Sequence, residues 1–202
     1  MRPSFLSFSL IFFLYFSFVT TIFAETPHEY VQKIHNEIIE VVKEKQNIFE
    51  EKPEEFLKSI EQSLEPLVDF KRISRNVMGI KYYKLASIAQ RERFLKVFQS
   101  TLLSTYSKTL AEFKDEEIKI LPKVAVSKRP DREKIYLEII TKTKVYPAIY
   151  YMYLNDKGEW KLINIVINGV NLGLTFRNQF SSLMKKNENN IDKVIDTWIS
   201  SL

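Results

Sequence analysis

The sequence has 202 residues, a formal net charge of +5 and no cysteine. The absence of cysteine excludes disulfide bonds, a thiol nucleophile and the lipidated cysteine of a bacterial lipoprotein. Positive and negative charges are mixed along the chain, so nucleic-acid binding is not expected. The length suits one domain with its own hydrophobic core.

The first 24 residues have the composition of a secretory signal peptide. Arg2 gives a positive start, residues 5–23 form an apolar run without acid or lysine, and Ala24 occupies the small position before a cleavage site. We therefore expect cleavage after Ala24 and a mature domain over residues 25–202. The apolar run is also long enough to remain as an uncleaved membrane anchor, and this alternative stays open. Export of a chain without cysteine favours a bacterial periplasm.

Apolar residues recur every three or four positions through the first half of the mature chain, which predicts helices. The first helix is expected over residues 26–42, and the second begins at Pro53. A third follows Asp69 and ends at Gly79, a residue suited to a helix C-terminus. The longest helix is expected over residues 87–113, and its apolar stripe includes Phe94, Phe98, Leu102 and Tyr106.

The apolar period changes to two after that helix, which predicts β-strands. Alternation is clearest over residues 135–141, and "NDKGE" gives a hairpin turn in which Gly158 can take a positive φ. Residues 117–168 are therefore expected to form a curved, four-stranded antiparallel sheet. Two more helices follow, over residues 172–186 and 191–202. The fold class is α+β, with the helices packed on one face of the sheet.

Few residues offer catalytic or metal-binding chemistry. His28 and His35 share the first helix without a third ligand, so surface histidines are favoured over a metal site. The sequence contains no G-x-S-x-G motif and no glycine-rich phosphate loop. Asp69 is favoured as a helix cap, and the alternative is a general base in a cone-shaped α+β enzyme. We expect no enzymatic activity, no metal and no cofactor.

Aromatic side chains are abundant, with 15 Phe and 10 Tyr. Any single ring is favoured as part of a packed core. Taken together, the rings predict an apolar cavity enclosed between a concave sheet and its covering helices. The residues expected to line this cavity and bind a lipid are Phe70, Ile73, Val77, Phe94, Phe98, Leu102, Tyr106, Tyr136, Tyr151, Tyr153, Ile165, Ile167, Phe176 and Phe180.

The order of the motifs resembles the MlaC family, also called the toluene-tolerance auxiliary family. One part of the resemblance lies in "LVDFKRISRNVMGIKYYKLASIAQRERFLKVFQSTLLSTY", and the other lies in "YYMYLNDKGEWKLINIVINGVNLGLTFRNQF". Asn164 stands where the family often has Asp, and Asn171 stands where it often has Ser. The matching positions are Asp69, Phe70, Gly79, Gln90, Arg91, Phe94, Phe98, Leu102, Tyr106, Tyr151, Trp160, Lys161, Gly169, Val170, Leu172, Arg177, Gln179 and Phe180.

The resemblance implies a soluble periplasmic carrier that holds a glycerophospholipid by its acyl chains. It also implies two partners, an inner-membrane ABC transporter with a mammalian-cell-entry-family ring and an outer-membrane lipoprotein complex. Transport between them would maintain the lipid asymmetry of the outer membrane. A branch of the family is linked to hopanoids, so a hopanoid or another apolar lipid is an alternative cargo. The remaining alternative, a non-lipid adaptor protein of the envelope, predicts a solid core.

Overall fold

The structure is a computed structural model that describes residues 25–112, 116–123 and 127–198. The expected signal peptide, Phe113 and residues 199–202 lie outside the described residues. None of the helices in the described ranges is both long enough and apolar enough to span a membrane. The elements are α1 (Pro27–Lys45), α2 (Pro53–Leu64), α3 (Phe70–Leu85), α4 (Ile88–Ala111), β1 (Glu117–Ile120), β2 (Arg132–Ile140), β3 (Val145–Leu154), β4 (Trp160–Ile167), β5 (Val170–Asn171), α5 (Leu172–Lys186) and α6 (Ile191–Thr197).

Side-chain caps set the starts of several helices. Thr26 and Ser87 each form a capping box with the residue three positions later, at the starts of α1 and α4. Asn171 caps α5 in the same way as Asp69 caps α3, by accepting a hydrogen bond from a backbone N–H. The predicted stop at Gly79 is a kink, because its φ of 71° interrupts the helix before the chain continues helically to the end of α3.

The strands form one antiparallel sheet in the order β1-β2-β3-β4-β5. The predicted α+β class is confirmed, with one strand more than expected. The additional strand, β5, contains two residues and pairs with the end of β4. The turn between them consists of Asn168 and Gly169, with φ of 47° and 80°. A two-residue turn with two positive φ angles is typical of tight hairpins, and "NG" is its usual sequence.

The register of β2 and β3 distributes their side chains between two faces. Ile135 is fully buried, whereas Tyr136 is 36% exposed. Ile135 pairs with Tyr150 and Lys134 pairs with Tyr151, so two adjacent tyrosines of β3 lie on opposite faces. We call the face with Ile135 and Tyr150 the inner face, and the face with Tyr136 and Tyr151 the outer face.

Three apolar clusters hold these elements together. The first, which we call the helical core, joins α3, α4, α5 and α6. The second joins α1 to the inner face of the sheet, and the third joins α1 to α2 and α4 through Val42, Phe56, Ile60 and Leu103. Helix α1 therefore lies between the sheet and a second helical layer, and it contributes to the packing on both of its sides.

We predict that Gly173→Ala destabilises the fold by about 1–3 kcal/mol, because it overpacks a close contact between α5 and β4. The Gly173 N–H donates to Asn164 Oδ1 at 3.0 Å, and a Cβ at position 173 would lie 2.5 Å from that oxygen. Urea denaturation measures the loss. In an Asn164→Ala background the same substitution should cost much less, because the clashing amide is gone. An equal cost in both backgrounds would contradict the steric explanation.

Candidate functional site

Helix α1 covers the inner face of the sheet through an almost entirely apolar contact, which we call the α1–sheet interface. Aliphatic residues of the helix pack on strand residues that are shielded from solvent. The buried members are Val31, Ile34, Leu67, Ile135, Met152 and Leu162, and the partly buried members include Tyr30, Ile38, Tyr150 and Ile165. The interface is thus a large surface whose stability comes from apolar burial.

One polar pair lies inside the α1–sheet interface. The Nε2 atom of His35 lies 3.2 Å from the Tyr150 hydroxyl oxygen, and the two rings meet edge to face. His35 is 4% exposed, so the prediction of a surface histidine is wrong at this position. Its Nδ1 atom has no hydrogen-bond partner among the described residues. Helical spacing alone could not predict the burial of His35, because its hydrogen-bond partner Tyr150 lies on a strand far along the sequence.

Burial keeps both members of this pair uncharged near neutral pH. Desolvation lowers the pKa of His35 to about 4, because a buried imidazolium loses its hydration. The same cause raises the pKa of the Tyr150 hydroxyl to about 12. The α1–sheet interface therefore contains hydrogen-bonding groups but no charge from this pair, which is compatible with an apolar ligand.

We predict that the protein loses roughly 3 kcal/mol of stability as the pH falls from 6.5 to 4, through His35. Above pH 6.5 the imidazole is neutral in both the folded and the unfolded chain. Below it, the unfolded chain binds a proton that the folded chain excludes, because the folded pKa is about 4. Urea midpoints measured across this range should fall more steeply in the wild type than in His35→Phe. Parallel pH profiles would contradict this assignment.

Half of the predicted lipid-binding residues lie in or against the helical core. Val77, Phe94, Phe98, Phe176 and Phe180 are buried there, with Ile73 and Leu102 packed against them. The rings contact one another directly. The Phe94 and Phe180 centroids are 4.9 Å apart, and those of Phe98 and Phe176 are 5.7 Å apart. These side chains fill a core in this structure, and their binding of lipid stays a prediction.

The other predicted lipid-binding residues are divided between several surfaces. Ile165 lies at the α1–sheet interface, and Ile167 pairs with the inner-face residue Ala148. Tyr106 on α4 is 45% exposed, and Phe70 is half-buried at the start of α3. The remaining three, Tyr136, Tyr151 and Tyr153, alternate along the outer side of β2 and β3. The structure therefore does not bring the whole predicted set around one space.

Asp69 has a structural role through both carboxylate oxygens. Its Oδ1 accepts a hydrogen bond from the backbone N–H of Arg72 at 2.8 Å, which confirms the predicted cap. Its Oδ2 accepts a hydrogen bond from the Tyr153 hydroxyl at 2.5 Å, which joins α3 to β3. Within the described ranges, no group of three or more His, Asp or Glu side chains could hold a metal ion.

Comparisons with protein families and curated proteins match most of the chain. The family model described as MlaC protein matches residues 32–200. The chain is 32% identical over 178 residues to toluene tolerance protein ttg2D of Pseudomonas putida, covering 88% of this chain and 82% of that protein. It is 27% identical over 202 residues to the intermembrane phospholipid transport system binding protein MlaC of Haemophilus influenzae, covering 96% and 90%.

A solved structure has the same fold. The phospholipid-binding protein from Ralstonia solanacearum, in complex with a phospholipid, superimposes with a TM-score of 0.76 over 85% of this chain and 93% of that chain. The sequence identity is 19%, so this similarity supports the fold and no individual residue of a binding site.

Proposed function

Because the chain belongs to the MlaC protein family, we propose that it is a periplasmic protein that carries a phospholipid by its acyl chains. It moves the lipid between the outer and inner membranes, and it catalyses no reaction. Its partners are an inner-membrane ABC transporter with a mammalian-cell-entry-family ring and an outer-membrane lipoprotein complex. The transport role of the Haemophilus relative and the phospholipid bound to the Ralstonia structure support the proposal.

The observation that carries the proposal in this chain is the α1–sheet interface. An aliphatic helix face meets the inner face of a sheet, and the buried polar pair between them is uncharged. We place the acyl chains there, between α1 and residues such as Ile135 and Ile165. The apolar surface that binds α1 in the closed protein is then the surface that binds the lipid, and α1 moves aside to admit it.

The energetics favour exchange over permanent capture. Each methylene removed from water gains about 0.8 kcal/mol, so two chains of about 15 methylenes gain roughly 24 kcal/mol. In a bilayer the same chains are already dry, so the net free energy of moving them into the protein is near zero. A carrier therefore needs a binding surface about as apolar as a membrane. The aliphatic composition of the α1–sheet interface meets this requirement.

We predict that the protein purified from a bacterial lysate carries about one phospholipid per chain, visible by native mass spectrometry. The mass of the extracted lipid identifies the cargo, since a hopanoid has no phosphate and a different mass. Repeatedly empty protein would overturn the proposed function and would favour an adaptor role.

We predict that a photo-crosslinking side chain reaches the lipid from position 150 and not from position 151. These adjacent residues lie on opposite faces of β3, so p-benzoylphenylalanine in place of Tyr150 or Tyr151 makes a matched pair. Illumination of lipid-loaded protein should give a lipid adduct at the inner-face position. An adduct at Tyr151 alone would contradict this location and would support the predicted lipid contact of Tyr151.

A further inference from the structure

The outer side of the molecule carries two neighbouring pockets rich in cations. The first has a volume of about 540 Å³, and its lining includes Lys128, Arg129, Arg132 and Lys134 together with the outer-face rings Tyr136 and Tyr151. The second has a volume of about 530 Å³ between α3 and α5, and its lining includes Lys71, Arg72, Arg75, Lys84 and Arg177. Apart from Met152, which lines the first pocket, no residue of either pocket belongs to the α1–sheet interface, so the proposed lipid site does not account for these pockets.

Tyr153 joins the two pockets. The Arg72 guanidinium carbon lies 4.0 Å from the centre of its ring, and that of Arg132 lies 5.1 Å from it. Arg132 lines the first pocket and Arg72 lines the second, so the Tyr153 ring lies between one cation from each pocket. The Tyr153 hydroxyl is bound to Asp69, which fixes the ring between strand and helix. We call the combined surface the cationic groove.

The backbone kink in α3 positions another cation of the groove. Arg177 reaches across from α5 and lies over Gly79, with its Nε 3.4 Å from the place where a Cβ would stand. The positive φ of Gly79 and its missing side chain allow the guanidinium to approach the helix backbone. Arg177 is exposed, so this contact holds its charge at the surface.

The groove concentrates positive charge. Nine lysines and arginines line the two pockets, against the two carboxylates Asp69 and Glu133. Glu133 is paired with Lys123, with Nζ 2.5 Å from Oε2, and Asp69 accepts the bonds described above. Asp131 adds a third carboxylate, with its Oδ2 3.0 Å from Arg129 Nη2, so the cations of the groove outnumber the carboxylates beside them by nine to three. Such a surface attracts an anionic partner and accelerates its association.

We propose that the cationic groove docks an acidic protein surface of a membrane-bound partner during lipid transfer. This proposal rests on the proposed function. The cations are spread over the surface from β2 across β3 and α3 to α5. A single phosphate group is too small to contact and neutralise all of them. They also line concave pockets, which protruding Asp and Glu side chains can enter and a planar bilayer surface cannot fill. The apolar rings Tyr136 and Tyr151 add area that a protein partner can bury.

Charge reversal on the groove tests this proposal against a matched control. The groove variant is Lys71→Glu, Arg75→Glu, Lys128→Glu and Lys134→Glu, with two exposed cations from each pocket. The control variant is Lys33→Glu, Lys58→Glu, Lys96→Glu and Lys193→Glu, which makes the same change in net charge at exposed positions outside both pockets. Circular dichroism melts verify that both variants are folded, and native mass spectrometry measures their lipid content.

Three probes are used with each protein, namely the purified transporter complex, the purified outer-membrane lipoprotein complex and phosphatidylglycerol vesicles. We expect the groove variant to bind at least one of the two protein complexes at least about tenfold more weakly than the wild type, chiefly through a slower association rate at low salt. The control variant should stay within about twofold of the wild type. Lipid content should be unchanged in both.

Several results would overturn the docking role. The first is that both variants bind the complexes equally weakly, and the second is that the groove variant binds them as tightly as the wild type does. The third is that the wild type binds neither complex. The fourth is that the groove variant loses affinity for the vesicles alone. Loss of bound lipid from the groove variant with docking intact would assign the groove to the cargo's headgroup instead. An empty wild-type protein refutes the proposed function separately, since that measurement needs no partner.

Discussion

The structure depends on one apolar contact, between α1 and the inner face of the sheet. There, Val31, Ile34 and the strand residues beneath them are shielded from water. An acyl chain offers those strand residues the same kind of contact as α1 does, since dispersion and burial depend on apolar area and not on which molecule supplies it. In the proposed carrier, displacement of the helix by lipid would therefore replace these contacts with contacts of the same kind.

The alternation of side chains along β2 and β3 separates this contact from the charged surface behind it. Tyr150 lies on the apolar side and Tyr151 lies in the cationic groove, one residue apart. A slip of one residue in strand pairing would exchange the two environments and bury cations under α1. The β2–β3 turn fixes this register, because Thr141 Oγ1 accepts bonds there from the N–H groups of Thr143 and Lys144. This turn thus keeps the apolar inner-face residues apart from the charged outer-face residues.

Periodicity and caps predicted the helices and the main strands, because these are local properties of the chain. A strand of two residues such as β5 has no periodicity from which it could be predicted. Gly79 predicts a helix end as readily as a kink, because both need a positive φ. The candidate site was less predictable. Burial of Phe94 and Phe180 followed from their spacing, but the sequence could not show that their neighbours would be other rings. The burial of His35 depends on Tyr150, and the groove gathers cations from β2, α3, α5 and the loop before β2, so neither is visible in any one segment.

The two apolar halves of the molecule differ in how readily they can open. In the helical core, Phe94 contacts Phe98, Phe180 and Trp198, and Trp198 is also close to Phe98 and Phe180. Each such aromatic pair contributes about 0.5–1.5 kcal/mol beyond its buried area. Separation of α4 from α5 would break the Phe94–Phe180 and Phe98–Phe176 pairs, and separation of α6 would break the pairs of Trp198. The α1–sheet interface is mainly aliphatic and lacks that interlocked geometry. In the proposed carrier, α1 is therefore the element that moves, and the aromatic cluster of α3 to α6 is the frame that stays in place.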